Sequence, residues 1–264
     1  MMKELYFAFY AIKKNIQSSA ELRASFLMNI AGMVVNNMAF IILWVFFVKS
    51  VGVIGGWTAK DIVGLQGFTA IVYGIIFSAG AGVRKISDYV SSGSFDRFLL
   101  SPKNVLLRVA TSSFGVSAVG DIFFGISCLV IYAILIQADV WQIILMVFLV
   151  VIASIVFFAI TLVAYSVSFF ITDANLAASG LFEIFFTPAL FHGGAFQGVM
   201  RFIFTFLIPS LLIGTLPVEA VKGFSLGTAG LIAVLALFWL LFAISFFNYG
   251  IKKYESSNFM TFGN

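Results

Sequence analysis

Charged residues are scarce in this sequence, and their scarcity excludes most soluble folds. The 264 residues include 15 Lys or Arg and 11 Asp or Glu, so that 10% are charged and 62% are hydrophobic. Soluble proteins carry roughly a quarter of their residues as charges. A water-soluble domain built from this sequence would lack the polar faces that its helices need.

Residue types that build catalytic sites are scarce too. The sequence has one histidine and one cysteine, Cys128, which excludes a zinc site of His and Cys ligands and a Cys/His nucleophile pair. No Gly-x-x-x-x-Gly-Lys-Ser/Thr segment is present, which excludes that nucleotide-binding loop. We therefore expect no enzyme activity, cofactor or metal in this chain, and no nucleic-acid partner for its net charge of +4.

What the sequence does contain is a series of long apolar stretches. A bilayer core of ~30 Å is crossed by ~20 apolar residues in a helix. Six stretches reach this length, two of them with isolated polar residues, and they predict an all-α polytopic membrane protein with six transmembrane helices. The predicted spans are residues 24–48, 62–83, 109–138, 140–172, 174–200 and 223–251.

The distribution of Lys and Arg predicts the orientation of these spans. If the N-terminus lies inside, the inner segments hold 11 of these residues and the outer loops hold four. Because cytoplasmic loops carry the excess of positive charge, both termini are predicted to be cytoplasmic.

The first 23 residues show the pattern of an amphipathic helix. Leu5, Phe9, Ile12 and Ile16 follow each other at intervals of three or four residues, and two lysines lie off that line. A helix with a basic polar face of this kind lies flat on a membrane surface. We predict an interfacial helix on the cytoplasmic side that serves as an anchor or as a lipid-sensing element.

The second predicted span carries a line of small residues. Ala70, Gly74, Ser78 and Gly82 are each four residues apart, so they share one helix face on which another backbone can approach closely. The neighbour is either another span of the same chain or a second subunit, and the spacing leaves both open.

The largest inner loop comprises residues 84–108. A short charged helix from Arg84 is expected to end at Gly93, which suits a left-handed C-cap. A second turn follows, and its apolar residues 98–100 are expected to return towards the membrane before Pro102 ends it. Mixed charges beside aromatic residues indicate a docking surface for a soluble partner; the alternative is that these charges only set the topology.

Residues 188–222 are unusual because they hold three of the four prolines and the only histidine, His192. The apolar run 202–216 has 15 residues, too few for a crossing, and Pro209 interrupts it. Non-helical backbone at membrane depth is stable only where protein or a water-filled cavity satisfies it. We predict two short, broken re-entrant helices at the outer leaflet before the last span.

Two carboxylates interrupt otherwise apolar spans, Asp121 in the third and Glu183 in the fifth. An ionisable residue within a span is a candidate for function, for example in a proton or cation pathway. The pair is consistent with a gradient-driven secondary transporter or channel. The alternative is that each carboxylate lies in the headgroup region or pairs with a basic residue. His192, beside two glycines, is most simply a turn residue.

Taken in order, three stretches resemble the ABC-2 type transporter permeases, and the closest similarity is to bacterial paired permeases that work with a separate ATPase. Residues 92–102, Ser-Gly-Ser-Phe-Asp-Arg-Phe-Leu-Leu-Ser-Pro, are similar to the family's glycine–aspartate–leucine–leucine–proline loop. The prolines of 188–217 with Gly223 form the second stretch, and the tail 250–258 forms the third. The resemblance covers nearly the whole chain as one transmembrane domain.

The resemblance implies a permease of an ATP-driven exporter in the bacterial cytoplasmic membrane. It implies a second permease, identical or a sister chain, and ATPase subunits that hold the ATP and Mg. Spans 2 and 5 would line the translocation route, and Ala70, Gly74, Ser78 and Gly82 would meet the second permease. The loop 84–108 would be the coupling loop, with Arg84, Lys85, Asp88, Gly93, Asp96 and Arg97 at the ATPase contact.

Overall fold

The computed structural model describes residues 2–53, 55–171 and 174–254, and all regular structure in these ranges is helical. Four helices are shorter than eight residues, and they lie in the loops between the long ones. The twelve α-helices are Met2–Ala20 (α1), Arg23–Val51 (α2), Ala59–Ala79 (α3), Ile86–Ser91 (α4), Asp96–Leu99 (α5), Val105–Ala110 (α6), Val116–Ile136 (α7), Val140–Ser166 (α8), Ala174–Phe186 (α9), Gly198–Phe202 (α10), Thr215–Lys222 (α11) and Leu226–Lys253 (α12).

Five helices in the described part of the chain are long and apolar enough to cross a membrane. They are Arg23–Phe46, Ala59–Ala79, Val116–Ile136, Val140–Phe169 and Leu226–Lys253. Each matches one of the predicted spans, although the third begins later than the predicted residue 109. The chain unwinds between α6 and α7, where the Gly115 N–H donates to the Phe77 carbonyl oxygen at 3.0 Å.

The fifth predicted span is shorter than expected. The α-helix α9 has 13 residues and continues as the 3₁₀ segment Thr187–Leu190. Pro188 explains the change, because it has no N–H for an α-helical hydrogen bond and its ring crowds the preceding turn. Helix length alone therefore supports five crossings, and the count of six remains a prediction.

The core of the bundle lies around α3, whose residues 61–72 are all buried. It packs against α7 on one side and α8 on another, while α12 packs on α8 and α2 on α7. Glycines bring α3 and α7 into backbone contact, since a Cβ at Gly125 would lie 2.5 Å from the Ile71 nitrogen. Small residues at such crossings are the usual device for close helix packing in membranes.

We expect Gly125→Ala to destabilise the protein, because the added methyl group would push α7 away from α3. Overpacking of this kind costs about 1–3 kcal/mol. Gly32→Ala in α2 is the matched control, since a Cβ at Gly32 has no neighbouring atom within 4 Å and alanine favours a helix by about 1 kcal/mol. Thermal unfolding in detergent should therefore shift down for Gly125→Ala and stay unchanged or rise for Gly32→Ala. Equal shifts would contradict this close contact.

The two ends of the bundle differ in construction. At one end the helices α4, α5 and α6 fill the space below α3, α8 and α9. At the other end lies the segment 187–222, which is broken as predicted: short 3₁₀ pieces and α10 lead into a π-helical turn, Ile203–Leu207, and the chain is extended at Ile208 before Pro209. Lys222 ties this segment to the start of α3 by an ion pair with Asp61 at 2.8 Å.

The helix α1 forms over the predicted N-terminal segment and contacts the loop end of the bundle. The Asn15 side-chain amide donates to the Thr111 carbonyl oxygen at 2.8 Å, and the Asn104 N–H donates to the Glu4 carboxylate at 3.2 Å. Phe9, from the predicted apolar line, is 72% exposed. The side chain of Leu5 lies outside the described residues, as do residues 255–258 of the tail.

Candidate functional site

The loop 84–108 folds into a compact unit. A 3₁₀ segment, Ala81–Lys85, leads directly into α4. Gly93 has φ +68°, the left-handed conformation predicted for it, which L-residues other than glycine rarely adopt. The Phe95 N–H then donates to the Tyr89 carbonyl oxygen at 2.9 Å, so α5 folds back on α4.

Phe95 anchors this loop to the bundle. Its side chain is fully buried, and its ring centroid lies 5.0 Å from that of Phe169 after α8 and 5.2 Å from that of Tyr254 after α12. Such edge-to-face aromatic pairs add about 0.5–1.5 kcal/mol each beyond their buried area. The ring of Phe95 therefore joins α5 to the ends of two long helices.

The expected return of residues 98–100 towards the membrane stays a prediction, but their burial within the chain differs. Phe98 is buried, but Leu99 is 40% exposed and Leu100 is 86% exposed. Consecutive residues in a single helical turn point in different directions, so only one of the three can face the bundle.

Arg108 holds the second turn in place, a role that its sequence position did not indicate. Its guanidinium donates to the carbonyl oxygens of Phe98 at 2.6 Å and Arg97 at 3.1 Å. Carbonyl groups at the end of a helix lack intrahelical partners and carry partial negative charge, so a cation there is stabilising.

The predicted contact residues have different surroundings. Lys85, Asp88 and Arg97 are exposed, and the Arg97 guanidinium lies 4.7 Å from the centroid of the Tyr89 ring. The carboxylate of Asp96 instead faces Tyr254. Burial, followed by the hydrogen-bonding and charge effects of Asp96, raises the pKa of Tyr254 to about 12.

Arg84 turns its guanidinium towards the bundle. It donates to the Tyr73 hydroxyl at 3.1 Å and lies 4.9 Å from the Phe77 ring centroid and 5.5 Å from that of Phe182. Arg84 therefore links the loop to the interior of α3 and α9 through contacts within the chain.

The predicted line of small residues is broken, because α3 ends at Ala79 and Gly82 lies in the 3₁₀ segment Ala81–Lys85. The line is also partly covered by this chain. A Cβ at Gly74 would lie 2.7 Å from the Ile122 nitrogen in α7, and one at Gly82 would overlap the Val109 carbonyl oxygen. Ala70 is buried, and the Ser78 hydroxyl donates to the carbonyl oxygen of Ile75 at 3.0 Å. At Gly74 and Gly82 the neighbour is thus the same chain, the first of the two alternatives, and a second permease would have to contact other residues.

A polar cavity of about 270 Å³ lies between α2, α3 and α7, with Phe186 and Leu190 at its edge. Asp121 lines it and accepts a hydrogen bond from the Asn37 amide at 2.6 Å. Gln66 and Tyr73 of α3 line it as well. The sequence singled out Asp121 as a lone charge, whereas uncharged amides such as Asn37 and Gln66 gave no comparable signal.

Glu183 and His192 lie elsewhere. Glu183 is exposed on α9 and accepts a hydrogen bond from the Thr187 hydroxyl at 3.0 Å, and it does not line this cavity. His192 is buried with its ring centroid 6.1 Å from that of Trp44, and burial lowers its pKa. The cavity therefore contains only one of the two predicted carboxylates.

Two ion pairs hold the end of the bundle opposite the loop. Arg201 and Glu219 form a bidentate pair, which joins α10 to α11, and Lys222 pairs with Asp61. In the sequence, Arg201 and Lys222 are two of the four outer Lys and Arg residues whose number predicts the orientation. Glu219 lies 18 residues from Arg201, and Asp61 lies 161 residues from Lys222. The pairing of Lys222 with Asp61 could not be predicted from a local sequence pattern.

Comparisons with known proteins agree with these features. The sequence model of the ABC-2 family transporter proteins matches residues 33–258, from within α2 to beyond the end of α12. No curated protein and no solved structure matches the chain. With a match over most of its length and several helices of membrane-spanning length, the chain belongs to the ABC-2 transporter family of membrane proteins.

Proposed function

We propose that this chain is the permease subunit of an ATP-driven exporter in the bacterial cytoplasmic membrane. The observation that carries the proposal is the coupling loop, residues 84–108, at one end of the bundle. It exposes Lys85, Asp88 and Arg97 to a partner and is fixed to α8 and α12 through Phe95. A separate ATPase subunit that docks on the exposed charges would supply the ATP and Mg.

Transport requires that the ATPase states bind this loop differently, because equal binding to both permease states shifts no equilibrium. The loop is suited to transmit such a difference. A displacement of α4 and α5 acts through Phe95 on the ends of α8 and α12, and through Arg84 on α3 and α9. The permease would alternate between inward-facing and outward-facing states.

In this proposal the segment 174–190 is the fifth of six crossings, so both termini lie on the same side, which the bias of Lys and Arg assigns to the cytoplasm. Its α-helical and 3₁₀ parts span about 27 Å at their usual rises, close to the ~30 Å of a bilayer core. Phe182 contacts Arg84 at the loop end, while Gly193 lies beside Trp57 near the start of α3. The segment 191–222 would then lie at the outer leaflet.

The exposed surfaces of α1 and α2 indicate which partners the chain contacts. The helix α1 presents Tyr6, Phe9 and Tyr10, each more than half exposed, which suits a cytoplasmic membrane interface. No residue in the apolar span of α2 is fully buried by the rest of the chain. We propose that lipid and a second permease, identical or a sister chain, cover it.

A gradient-driven transporter or channel is the second candidate, and Asp121 is the observation that favours it. A buried carboxylate beside a polar cavity can bind and release a cation or proton. This candidate predicts substrate movement that follows an ion gradient and is indifferent to ATP. The family match favours the ATP-driven function.

Charge reversal on the coupling loop tests the proposed function. The tagged protein, purified from its own host in mild detergent, should retain a stoichiometric ATPase subunit. We expect Arg97→Glu and Asp96→Lys to remove most of that subunit, because close charge pairs at interfaces contribute about 1.5–7 kcal/mol. Lys60→Glu is the matched control, since Lys60 is exposed at the opposite end of the bundle. If both loop variants retained as much ATPase subunit as the wild type, the proposed docking of the ATPase on this loop would be wrong.

A further inference from the structure

The polar cavity holds two buried side chains that each have one polar atom without a hydrogen-bond partner in the chain. It lies between α2, α3 and α7, in the segments proposed to span the membrane. Asp121 is 2% exposed and Gln66 is 5% exposed. Buried polar groups in proteins are nearly always hydrogen-bonded, so an unpaired atom that lines a cavity calls for a partner such as water, an ion or a ligand.

The first of these groups is the Asp121 carboxylate. Its Oδ1 accepts from Asn37, but Oδ2 is buried and has no hydrogen-bond partner. The two ion pairs found among the described residues involve Glu219 and Asp61, and neither reaches Asp121. A buried carboxylate without a compensating charge is costly in a membrane. A cationic ligand group would remove that cost.

The second group is the side-chain amide of Gln66. Its Nε2 is buried and donates to no acceptor. Gln66 and Asp121 line the same cavity, so one ligand can meet both. Such a ligand would carry a hydrogen-bond donor for Asp121 Oδ2 and a hydrogen-bond acceptor for Gln66 Nε2. A proton or an alkali cation would satisfy Asp121 and leave Gln66 unpaired.

The walls of the cavity favour an organic ligand. Phe40, Tyr73 and Phe186 contribute aromatic rings beside the polar groups. Aromatic faces attract ammonium groups, and the attraction is stronger where water is excluded. A small number of placed polar groups among apolar walls is the usual composition of a ligand pocket.

We propose that this cavity binds a primary ammonium group with a neighbouring oxygen, the chemistry of a β-amino alcohol. The ammonium donates to Asp121 Oδ2, the oxygen accepts from Gln66 Nε2, and the aromatic rings contact the adjoining carbon chain. The inference rests on the proposed function only in treating this ligand as a substrate; the binding site itself stands on the geometry.

The test uses the purified full-length protein in nanodiscs of phosphatidylglycerol. The probe is a long-chain β-amino alcohol with a dansyl label, and its N-acetyl derivative lacks the charge. We expect saturable binding of the amine and binding at least about tenfold weaker for the acetylated probe, since a hydrogen bond to a charged group contributes about 1.5–3 kcal/mol. Asp121→Asn should weaken amine binding by a similar factor. Glu183→Gln, which removes a carboxylate outside the cavity, should leave it within about twofold.

Gln66→Leu is the second variant, and it should weaken both probes because both keep the hydroxyl oxygen. Thermal unfolding of each variant shows whether it remains folded. Equal affinity of wild type for the two probes, or unchanged amine binding by folded Asp121→Asn or Gln66→Leu, would overturn the proposal. No ATPase is present in this assay, so a negative binding result would not contradict the proposed role of the coupling loop. Likewise, a failure to recover the ATPase subunit with the wild type would not contradict this binding site.

Two sources of the ligand are distinguished by the lipid composition. Phosphatidylethanolamine carries a primary ammonium beside phosphate oxygens, whereas phosphatidylcholine has no N–H. Competition by phosphatidylethanolamine alone would assign the site to a lipid headgroup. Absence of competition, with amine binding retained, would assign it to a free amine. Equal competition by both lipids would contradict recognition of the ammonium and overturn the proposal.

Discussion

Phe95→Ala is expected to detach the coupling loop from the bundle without unfolding the long helices. The fully buried ring contacts Phe169, Tyr254 and Phe98, and truncation of a buried Phe to Ala costs about 3–5 kcal/mol. That cost falls on the loop because its main apolar anchor is the residue removed. Amide hydrogen exchange across residues 86–99 should therefore accelerate about 100-fold or more. Exchange in α3 and α7 should change little.

Leu100→Ala is the matched control, because Leu100 lies in the same loop and is 86% exposed. Its exchange pattern should resemble that of the wild type. In a complex with an ATPase subunit, Phe95→Ala should keep Arg97 available for docking and lose the stimulation that the permease gives to ATP hydrolysis. Exchange that is unchanged in the loop, or that accelerates equally throughout the protein, would show that Phe95 is not the anchor.

Much of the helical frame was predictable from the sequence because hydropathy is a local property. Five of the predicted spans match helices of sufficient length, and the left-handed turn at Gly93 followed from the conformational freedom of glycine. The break near Pro209 followed from the missing N–H of proline. Each of these predictions needs only the residues of one segment.

The predictions that failed or remained open depend on residues from distant segments. The ATPase contact of Arg84 stays a prediction, and its exposed side chain also contacts Phe182, which lies 98 residues further along the chain. Gly74 and Gly82 indicated close contacts, and only the positions of α7 and of the end of α6 identified their respective neighbours. Gln66 was missed because a neutral amide barely changes the hydropathy of a span, and its importance arises from Asp121 across the cavity.

Asp61→Ala is expected to be one of the most destabilising single substitutions in the chain. Asp61 is 2% exposed, and its Oδ2 accepts from three donors: the Thr58 N–H at 2.8 Å, the Thr58 hydroxyl at 2.9 Å and Lys222 Nζ at 2.8 Å. It therefore both caps α3 and holds α11. The loss of these three hydrogen bonds to a charged group, each contributing about 1.5–3 kcal/mol, should appear as a large decrease of the thermal unfolding temperature in detergent.

Lys222→Ala should also be costly, because it leaves the Asp61 carboxylate buried without its counter-charge. Asp61 then keeps only the two hydrogen bonds from Thr58. In Asp61→Ala, by contrast, the Lys222 ammonium can be hydrated, since its side chain is 46% exposed. Adding Lys222→Ala to Asp61→Ala should therefore cost much less than it does in the wild type, because no buried carboxylate remains to be left unpaired. An equal cost in both backgrounds would place the contribution of Lys222 in its contact with the Gly56 carbonyl oxygen at 3.0 Å rather than in the buried carboxylate.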